Sequence, residues 1–222
     1  MENTYKITGG IYLVLDPAMD KATLLNKLAS ALTAGIQVVQ LWNHWQPGAD
    51  KLSLIESIGP LCRLHGVPLF INEDWDLLKQ SSALQGVHFD GIPANFEAIK
   101  ASIGRPFMTG ITCSDNLDPV IWAEDNQLDY VSFCSMFPSS SAGSCDIVMP
   151  ATVRQARALT PMPIFVAGGI TPENMIALKQ EIPFDGVAVI SGILSAADPQ
   201  QKVKEFKNAL SINPTQHATQ NN

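Results

Sequence analysis

The sequence has few charged residues and no basic excess. Asp, Glu, Lys and Arg make up 16% of its 222 residues, against about 25% in an average protein. The 14 Lys and Arg are outnumbered by 21 Asp and Glu, which gives a formal net charge of −7. Because nucleic acids and anionic membranes attract basic patches, this balance argues against both as partners. The 46% hydrophobic content excludes disorder over most of the chain.

Long apolar runs and paired cysteines are also missing. No segment approaches the roughly 18 consecutive apolar residues that span a bilayer, and the opening MENTYKITGG does not have the pattern of a secretory signal. The four cysteines contain no CxxC pair, which argues against zinc binding and disulfide redox chemistry. We therefore expect a cytoplasmic protein with reduced thiols.

The chain does contain a regular alternation of short β-rich runs and longer segments of helical spacing. The runs are Ile11–Leu15, Gln37–Leu41, Pro68–Ile71, Gly86–His88, Phe107–Ile111, Asp129–Phe133, Pro163–Ala167 and Gly186–Ile190. Eight such βα units predict a single (β/α)8 TIM barrel over residues 1–210. An open doubly wound sheet is the alternative, but the first strand–helix junction lacks a GxGxxG fingerprint. The polar segment 211–222 is expected to be a disordered tail.

Between the runs, apolar residues recur at the spacing of one helix face. The two clearest stripes are Leu24, Leu25, Leu28 and Leu32, and Leu54, Ile58, Leu61 and Leu64. This spacing predicts two amphipathic helices.

Two glycines end the seventh run just before a helix start. The segment FVAGGITPEN ends a strand in Gly168 and Gly169 and continues with a threonine cap and a proline. The eighth run ends at Ile190 and Ser191. The loops after strands seven and eight of a barrel are a recurrent phosphate site, where backbone amides converge on the anion. The pattern therefore predicts phosphate binding at these four residues; a plain tight turn at the glycine pair is the alternative.

Eight short motifs follow one another along residues 10–210. They are GIYLV from Gly10, AGIQVVQL from Ala34, FIN at 70–72, GVH at 86–88, DYV at 129–131, FP at 137–138, GGIT at 168–171 and GVAVISGI at 186–193. This ordered set resembles the thiamine phosphate synthase family and its relative, the thiazole tautomerase TenI. The resemblance implies a triosephosphate-isomerase-type barrel, commonly a homodimer. It also implies a reaction in which thiazole phosphate displaces pyrophosphate from hydroxymethylpyrimidine pyrophosphate to give thiamine phosphate.

The resemblance also implies site residues on the second and third strands. The family's second strand ends Gln-x-Arg-x-Lys; here Gln40 is kept, and Trp42 and His44 stand in place of the two cations that grip the pyrophosphate. The family's third strand ends Asn-Asp, with the Asp on Mg2+. The equivalent here is Asn72 followed by Glu73, which makes Glu73 the candidate magnesium ligand. Helix capping is the alternative role for Glu73.

Further departures follow the fourth, fifth and sixth strands. The family's second magnesium Asp becomes Pro93, with Asp90 nearby but out of register. Its serine after the fifth strand becomes Thr112. Its Thr-x-Thr-Lys phosphate loop becomes a run of serines from Ser139 to Ser141 followed by alanine, so the hydroxyl groups remain and the lysine does not. The candidate catalytic residues are therefore Gln40, His44, Asn72 and Thr112.

Two histidines have two interpretations each. His44, between two tryptophans, either contacts a phosphate or pyrimidine-like ring or belongs to an aromatic cluster that caps the barrel mouth. His88, at a strand end, is either a hydrogen-bonded core residue or a catalytic one.

Three functional hypotheses remain open. None of the 14 Lys and Arg falls in the predicted loops at the catalytic end of the barrel. The chain is thus a divergent thiamine phosphate synthase, a non-catalytic ligand-binding or regulatory relative that has lost the pyrophosphate and magnesium half of the site, or a TenI-like isomerase. For the third, Ser135 stands where that relative has its acid–base His, beside Cys134. The expected partner is a small phosphorylated thiazole or pyrimidine ligand.

Overall fold

Eight parallel strands close into a barrel. The structure is a computed structural model and describes residues 5–139 and 146–212. The strands are β1 (Gly10–Leu15), β2 (Val38–Leu41), β3 (Leu69–Asn72), β4 (Gly86–Phe89), β5 (Met108–Thr112), β6 (Tyr130–Phe133), β7 (Ile164–Ala167) and β8 (Gly186–Val189). Each strand pairs with its sequence neighbour, and β8 closes the ring against β1 with Gly186 opposite Gly10. The predicted (β/α)8 TIM barrel is confirmed.

Helices alternate with the strands. They are α1 (Lys21–Leu32), α2 (Lys51–Leu64), α3 (Leu77–Gln80), α4 (Phe96–Ile103), α5 (Asp118–Asp125), α6 (Pro150–Leu159), α7 (Pro172–Glu181), α8 (Ser191–Leu194) and α9 (Pro199–Ser211). Asp20, Asp50 and Asp198 begin α1, α2 and α9, where each carboxylate accepts a backbone N–H from three residues further on. These caps satisfy amides that a helix start leaves without an intrahelical acceptor.

The predicted tail begins inside a helix. Ser211, its first residue, is the last residue of α9, and residues 213–222 lie outside the described residues. Within the described part of the chain, no helix has both the length and the apolar character that crossing a membrane requires.

The predicted apolar stripes hold for α1 and fail at the end of α2. Leu24 and Leu28 of α1 are fully buried, as their spacing predicts. In α2 the buried face continues from Ile58 to Cys62, whereas Leu64 is 79% exposed. Leu64 lies six residues after Ile58, which places it about 120° around the helix axis from the buried face.

Aromatic side chains fill the interior of the barrel. Tyr12, Phe70, Tyr130 and Phe165 are almost completely inaccessible and pack against one another. The ring centroid of Phe165 lies 5.4 Å from that of Tyr12 and 5.3 Å from that of Tyr130, both in edge-to-face arrangements. Such pairs contribute stabilisation beyond the area that they bury. This layer forms the floor beneath the C-terminal ends of the strands.

Three strand glycines make room for these rings. A Cβ atom on Gly86, Gly110 or Gly186 would lie 2.5, 2.0 or 2.4 Å from a neighbouring ring carbon. Real Cβ atoms do not approach other atoms so closely, so the aromatic layer requires glycine at these positions.

We predict that Gly110→Ala destabilises the protein by about 1–3 kcal/mol, because the added methyl group would overlap the Tyr130 ring. Denaturant unfolding followed by circular dichroism measures the change. Gly91→Ala is the matched control, since its Cβ would meet no atom within 4 Å and its φ lies outside the left-handed region. Equal stability of the two variants would contradict the packing argument.

Candidate active site

A cavity of about 610 Å³ opens at the C-terminal ends of the strands. This is the end of the barrel where (β/α)8 enzymes carry their active sites. Eight of the predicted site residues line it: Gln40, Asn72, Thr112, Ser139, Gly168, Gly169, Ile190 and Ser191. His44 and Glu73 are outside the lining, and Ser141 lies outside the described residues.

Both the backbone conformation and the close packing after β7 require glycine at positions 168 and 169. Gly168 and Gly169 adopt φ values of +84° and +64°, a region that favours glycine. A Cβ atom on Gly168 would lie 2.0 Å from Ser135 Oγ, and one on Gly169 would lie 2.7 Å from the carbonyl oxygen of Pro138. The loop after β6 therefore packs directly on the turn after β7. This close approach places both loops on one wall of the cavity.

Some amides at the start of α7 already have partners. Thr171 and Asn174 form a capping box, in which each side chain accepts the other residue's backbone N–H. Asn174 also donates from Nδ2 to the carbonyl oxygen of Gly169 at 2.8 Å, which holds the turn. The predicted phosphate site therefore depends on amides in the glycine turn and at Ser191, which is in the first turn of α8. Amides at a helix start have no intrahelical acceptor.

A hydrogen-bonded chain of five side chains crosses the barrel interior beneath the cavity. Tyr12 donates from its hydroxyl group to Gln40 Oε1 at 2.6 Å, and the hydroxyl groups of Tyr12 and Tyr130 are 2.8 Å apart. The Tyr130 hydroxyl lies 2.9 Å from His88 Nδ1, and His88 Nε2 lies 2.9 Å from Thr112 Oγ1. All five residues belong to different strands, so the chain links β1, β2, β4, β5 and β6.

The Tyr12–Gln40 hydrogen bond determines which atom donates in each of the other hydrogen bonds of this chain. Tyr12 gives its only hydroxyl proton to Gln40, so it accepts from Tyr130, which in turn accepts from His88 Nδ1–H. Burial lowers the pKa of His88 to about 4, so the ring is neutral at pH 7 and Nε2 accepts from Thr112. Burial also raises the pKa of both tyrosines, which keeps them protonated. Thr112 therefore presents oxygen lone pairs, rather than its proton, to the cavity.

A second set of hydrogen-bonded polar side chains connects β3 to the loop after β4. Asn72 donates from Nδ2 to Asp90 Oδ1 at 2.9 Å and accepts at Oδ1 from the backbone N–H of Asn43 at 3.3 Å. The backbone N–H of Asp90 donates to Glu73 Oε1 at 2.5 Å. Burial raises the pKa of Glu73, and the Asp90 carboxylate adds to this effect. Glu73 therefore supports the Asp90 loop, and Asp90 is the carboxylate that reaches the cavity.

His44 lies at the rim against the tryptophan that replaces a family cation. Its ring centroid is 4.8 Å from that of Trp42, and its Nδ1 is 3.0 Å from Asp16 Oδ1. The His44 side chain is 54% exposed, whereas Trp42 lines the cavity. This arrangement favours the aromatic-cluster interpretation of His44.

No cationic side chain lines the cavity. All 14 Lys and Arg are within the described residues, and none belongs to the lining. Lys21 and Lys51, the cations nearest in sequence to the mouth loops, have other partners: Lys21 donates to Ser53 Oγ at 3.0 Å, and Lys51 pairs at 2.5 Å with Asp74, in the loop after β3. Within the described part of the chain, Asp90 is the one carboxylate of the lining.

The position of the tautomerase histidine holds a serine with a structural partner. Ser135 is 1% exposed and donates from Oγ to the carbonyl oxygen of Phe137 at 2.6 Å. Its hydroxyl proton is thus used to hold the loop that packs on the glycine turn.

Sequence reasoning missed Tyr12 and Tyr130 and left open whether His88 is a hydrogen-bonded core residue or a catalytic one. All three line the cavity and form the centre of the buried chain. The alternation of side chains along a strand could have revealed Tyr12, because Tyr12 and Val14 are two residues apart on β1 and both point into the barrel interior. A tyrosine pair in a barrel interior requires polar partners, and the sequence does not reveal which ones.

We predict that His88 makes the stability of the protein pH-dependent. Its pKa is about 4 in the folded state and about 6.5 in the unfolded chain, so only the unfolded state binds a proton between these values. Stability therefore falls as pH drops through this window, by about 2 kcal/mol between pH 7 and pH 4.5. Urea unfolding at both pH values tests this, with His88→Gln as the variant in which this contribution disappears. An identical loss in the variant would assign the effect to other groups.

Comparison with known proteins agrees with this geometry. The sequence model of the family described as thiamine monophosphate synthase matches residues 11–193. A thiamine-phosphate synthase from Azoarcus sp. strain BH72 is 37% identical over 200 residues, which cover 89% of this chain and 95% of the relative. One from Xanthomonas campestris pv. campestris strain 8004 is 31% identical over 198 residues, which cover 89% of this chain and 94% of the relative.

Among solved structures, a thiamine phosphate pyrophosphorylase from Pyrococcus furiosus aligns with a TM-score of 0.75. It is 20% identical, and the alignment covers 90% of this chain and 95% of that one. This likeness supports the fold alone. The family model, however, spans more than half of the chain, and the Azoarcus and Xanthomonas relatives exceed 30% identity over most of it. The chain therefore belongs to the thiamine monophosphate synthase family.

Proposed function

We propose that the chain is a thiamine-phosphate synthase that binds thiazole phosphate in the cavity and joins it to hydroxymethylpyrimidine pyrophosphate, releasing pyrophosphate. The observation that carries this proposal is the cavity itself, in which the glycine-rich ends of β7 and β8 face the polar ends of β2–β5. Its volume of about 610 Å³ is within the usual range for small-molecule sites. Family membership supplies the reaction class. We further propose that the protein acts in the cytoplasm as a homodimer.

The phosphate group of the thiazole would be held mainly by the backbone. The amides of Gly168, Gly169 and Ser191 are the donors, and the hydroxyl groups of Ser139 and Ser191 are within the same lining. Amide donors suit a dianion because they need no counter-charge and lose no side-chain entropy on binding. Ser141, two residues after Ser139 in the sequence, stays a further candidate.

In the proposed reaction, the bond between the pyrimidine methylene carbon and the pyrophosphate oxygen breaks, and its electron pair leaves with the pyrophosphate. The thiazole nitrogen then donates its lone pair to the methylene carbon. Gln40, Asn72 and Thr112 line the side of the cavity where the pyrimidine would lie. Because Gln40 Oε1 accepts from Tyr12, its amide nitrogen is the group turned to a ligand as a donor. The buried chain holds these groups in one orientation and thereby positions the two rings.

The missing cations determine the expected rate. A departing pyrophosphate carries about three negative charges, and the loss of one strong donor costs about 3–4 kcal/mol of barrier lowering. With no Lys or Arg in the lining, this step has only amide and hydroxyl donors. We therefore expect slow turnover.

The residues present do not fit the Mg2+ that the family resemblance implies. Glu73 Oε1 accepts the Asp90 backbone N–H, and Glu73 does not line the cavity. Among the described residues, no group of three or more His, Cys, Asp or Glu side chains is placed to hold a metal ion. Magnesium binding stays a prediction from the resemblance.

A second candidate function is a non-catalytic relative that binds the phosphorylated thiazole or its product without turnover. The lining without cations favours it, because binding of a phosphate monoester needs less positive charge than departure of a pyrophosphate does. The TenI-like isomerase has no comparable support, since the Ser135 hydroxyl proton is bound to a carbonyl oxygen.

We predict that the purified chain, given both substrates and Mg2+, forms thiamine phosphate with a turnover well below the roughly 1 s⁻¹ that marks the low end of typical enzymes. Liquid chromatography of the product measures the rate. Turnover at or above that value would contradict the effect assigned to the missing cations. No product, together with saturable binding of thiazole phosphate, would favour the non-catalytic candidate.

We predict that Gly168→Ala weakens thiazole phosphate binding by about tenfold or more, because the added methyl group would overlap Ser135 and shift the amides of the turn. Isothermal titration calorimetry measures the affinity. Gly48→Ala is the matched control: its φ is also positive, at +76°, but its Cβ would meet no atom within 4 Å. Unchanged affinity in folded Gly168→Ala protein would remove the glycine turn from the phosphate site.

A further inference from the structure

The two sides of the cavity offer different hydrogen-bonding groups to a ligand. The ends of β7 and β8 line it with Gly168, Gly169 and Ser191, whose backbone amides are the donors of the proposed phosphate site. The ends of β2–β5 present the indole of Trp42, the amide nitrogen of Gln40, the carboxylate of Asp90 and the hydroxyl oxygen of Thr112. A ligand that matches both sides is therefore asymmetric, with an anionic group at one end and a flat, proton-donating group at the other.

Trp42 is held in place on its wall by a stack of side chains. His44 lies against the indole with ring centroids 4.8 Å apart and planes inclined by 38°. Asp16 Oδ1 lies 3.0 Å from His44 Nδ1 and also accepts the backbone N–H of Ala18 at 2.9 Å, which holds the carboxylate. Trp42 itself packs against the aromatic layer of the barrel. Because its position is set before a ligand arrives, the indole costs little entropy as a stacking surface.

Among the described residues, the polar groups that line the cavity near Trp42 carry no positive charge, and two of them, Asp90 and Thr112, accept protons. Asp90 accepts at Oδ1 from Asn72, and its carboxylate faces the cavity. The proton of Thr112 is directed to His88, which burial keeps neutral, so the Thr112 oxygen offers lone pairs. A pyrophosphate brings only acceptors and several negative charges, and it would find no cation here, only neutral donors such as the amide nitrogen of Gln40. An aminopyrimidine or a cationic ring brings N–H donors or positive charge.

We propose that the wall formed by Trp42, backed by His44 and Asp16, binds a flat nitrogen heterocycle that is neutral or cationic. The chain then prefers a phosphate monoester linked to such a ring, a description that thiamine phosphate meets, over a ligand that carries pyrophosphate. This inference rests on the proposed phosphate site at β7 and β8 and is independent of turnover. It makes Trp42 a determinant of specificity, at a position where the family resemblance has a cation.

Calorimetric titration of the full chain with three probes tests the inference: thiazole phosphate, thiamine phosphate, and hydroxymethylpyrimidine pyrophosphate with Mg2+. We expect thiamine phosphate to bind at least about tenfold more tightly than either of the others. Trp42→Leu should abolish the preference over thiazole phosphate while changing the affinity for thiazole phosphate itself by less than about twofold. Trp75→Leu is the matched control, since Trp75 is also half-buried, in the next loop, and does not line the cavity.

The Trp42→Arg variant gives a second test, in which the ligand preference should reverse. A guanidinium group on this wall should raise the affinity for hydroxymethylpyrimidine pyrophosphate by about tenfold or more and weaken binding of thiamine phosphate.

The outcomes separate this inference from the proposed function. If thiazole phosphate binds but thiamine phosphate binds no more tightly, or if the preference survives in Trp42→Leu, the role of Trp42 is wrong and the phosphate site stands. If the pyrophosphate ligand binds the wild-type chain as tightly as thiamine phosphate does, the selectivity is wrong. If neither phosphate monoester binds, the proposed phosphate site fails and this inference fails with it.

Discussion

The buried hydrogen-bonded chain from Gln40 to Thr112 is the interaction on which the site depends. Its members lie on five different strands and are buried or nearly so. An unpaired polar group in such a place costs about 1–3 kcal/mol, so the loss of one member leaves its neighbours unsatisfied. Because the phenol of Tyr12 has one proton and gives it to Gln40, every later bond in the chain has one direction. That direction determines which groups the cavity floor presents as acceptors and which as donors.

Some of the cationic side chains bind backbone carbonyl groups on the outside of the barrel. The Arg105 guanidinium donates to the carbonyl oxygens of Leu78 and Leu84, both at 2.9 Å. Lys207 donates to the carbonyl oxygen of Ala34 at 2.8 Å, at the end of the α1 segment. Leu78 is within α3, whereas Leu84 and Ala34 lie in the segments that follow α3 and α1, so these cations bind carbonyl groups at and just beyond helix ends. The cavity lining contains no Lys or Arg, so the proposed phosphate site depends on neutral donors, mainly those of the backbone.

The absence of Lys and Arg from the cavity lining affects the binding of a phosphate and the departure of a pyrophosphate differently. In the proposed site, a monoester would be held by amides that the glycine turn and the start of α8 provide without side-chain charge. A leaving pyrophosphate develops more charge and needs stabilisation at the moment of bond breaking. A lining with one carboxylate and no cation therefore favours the first task over the second. The indole of Trp42 suits a ring, which needs contact area rather than charge.

Much of the site was predictable because the barrel orders the strand ends in space. Once the eight runs are assigned as parallel strands, residues as distant as Gln40 and Ser191 must meet at one end, and they do. The order of the strands does not predict that Glu73 accepts the Asp90 backbone N–H, or that His44 lies against Trp42 outside the cavity lining. Both side chains are in loops, where orientation depends on a partner from another loop.

The sequence by itself determined the barrel, the glycine turn and the shortage of cations in the mouth loops, because these follow from periodicity, residue type and counting. The tertiary structure alone decided the buried chain, the neutral state of His88 and the stack of Trp42, His44 and Asp16. The reason is physical. A hydrogen bond or a pKa depends on atoms within a few ångströms, and here those atoms come from strands and loops up to 118 residues apart along the chain.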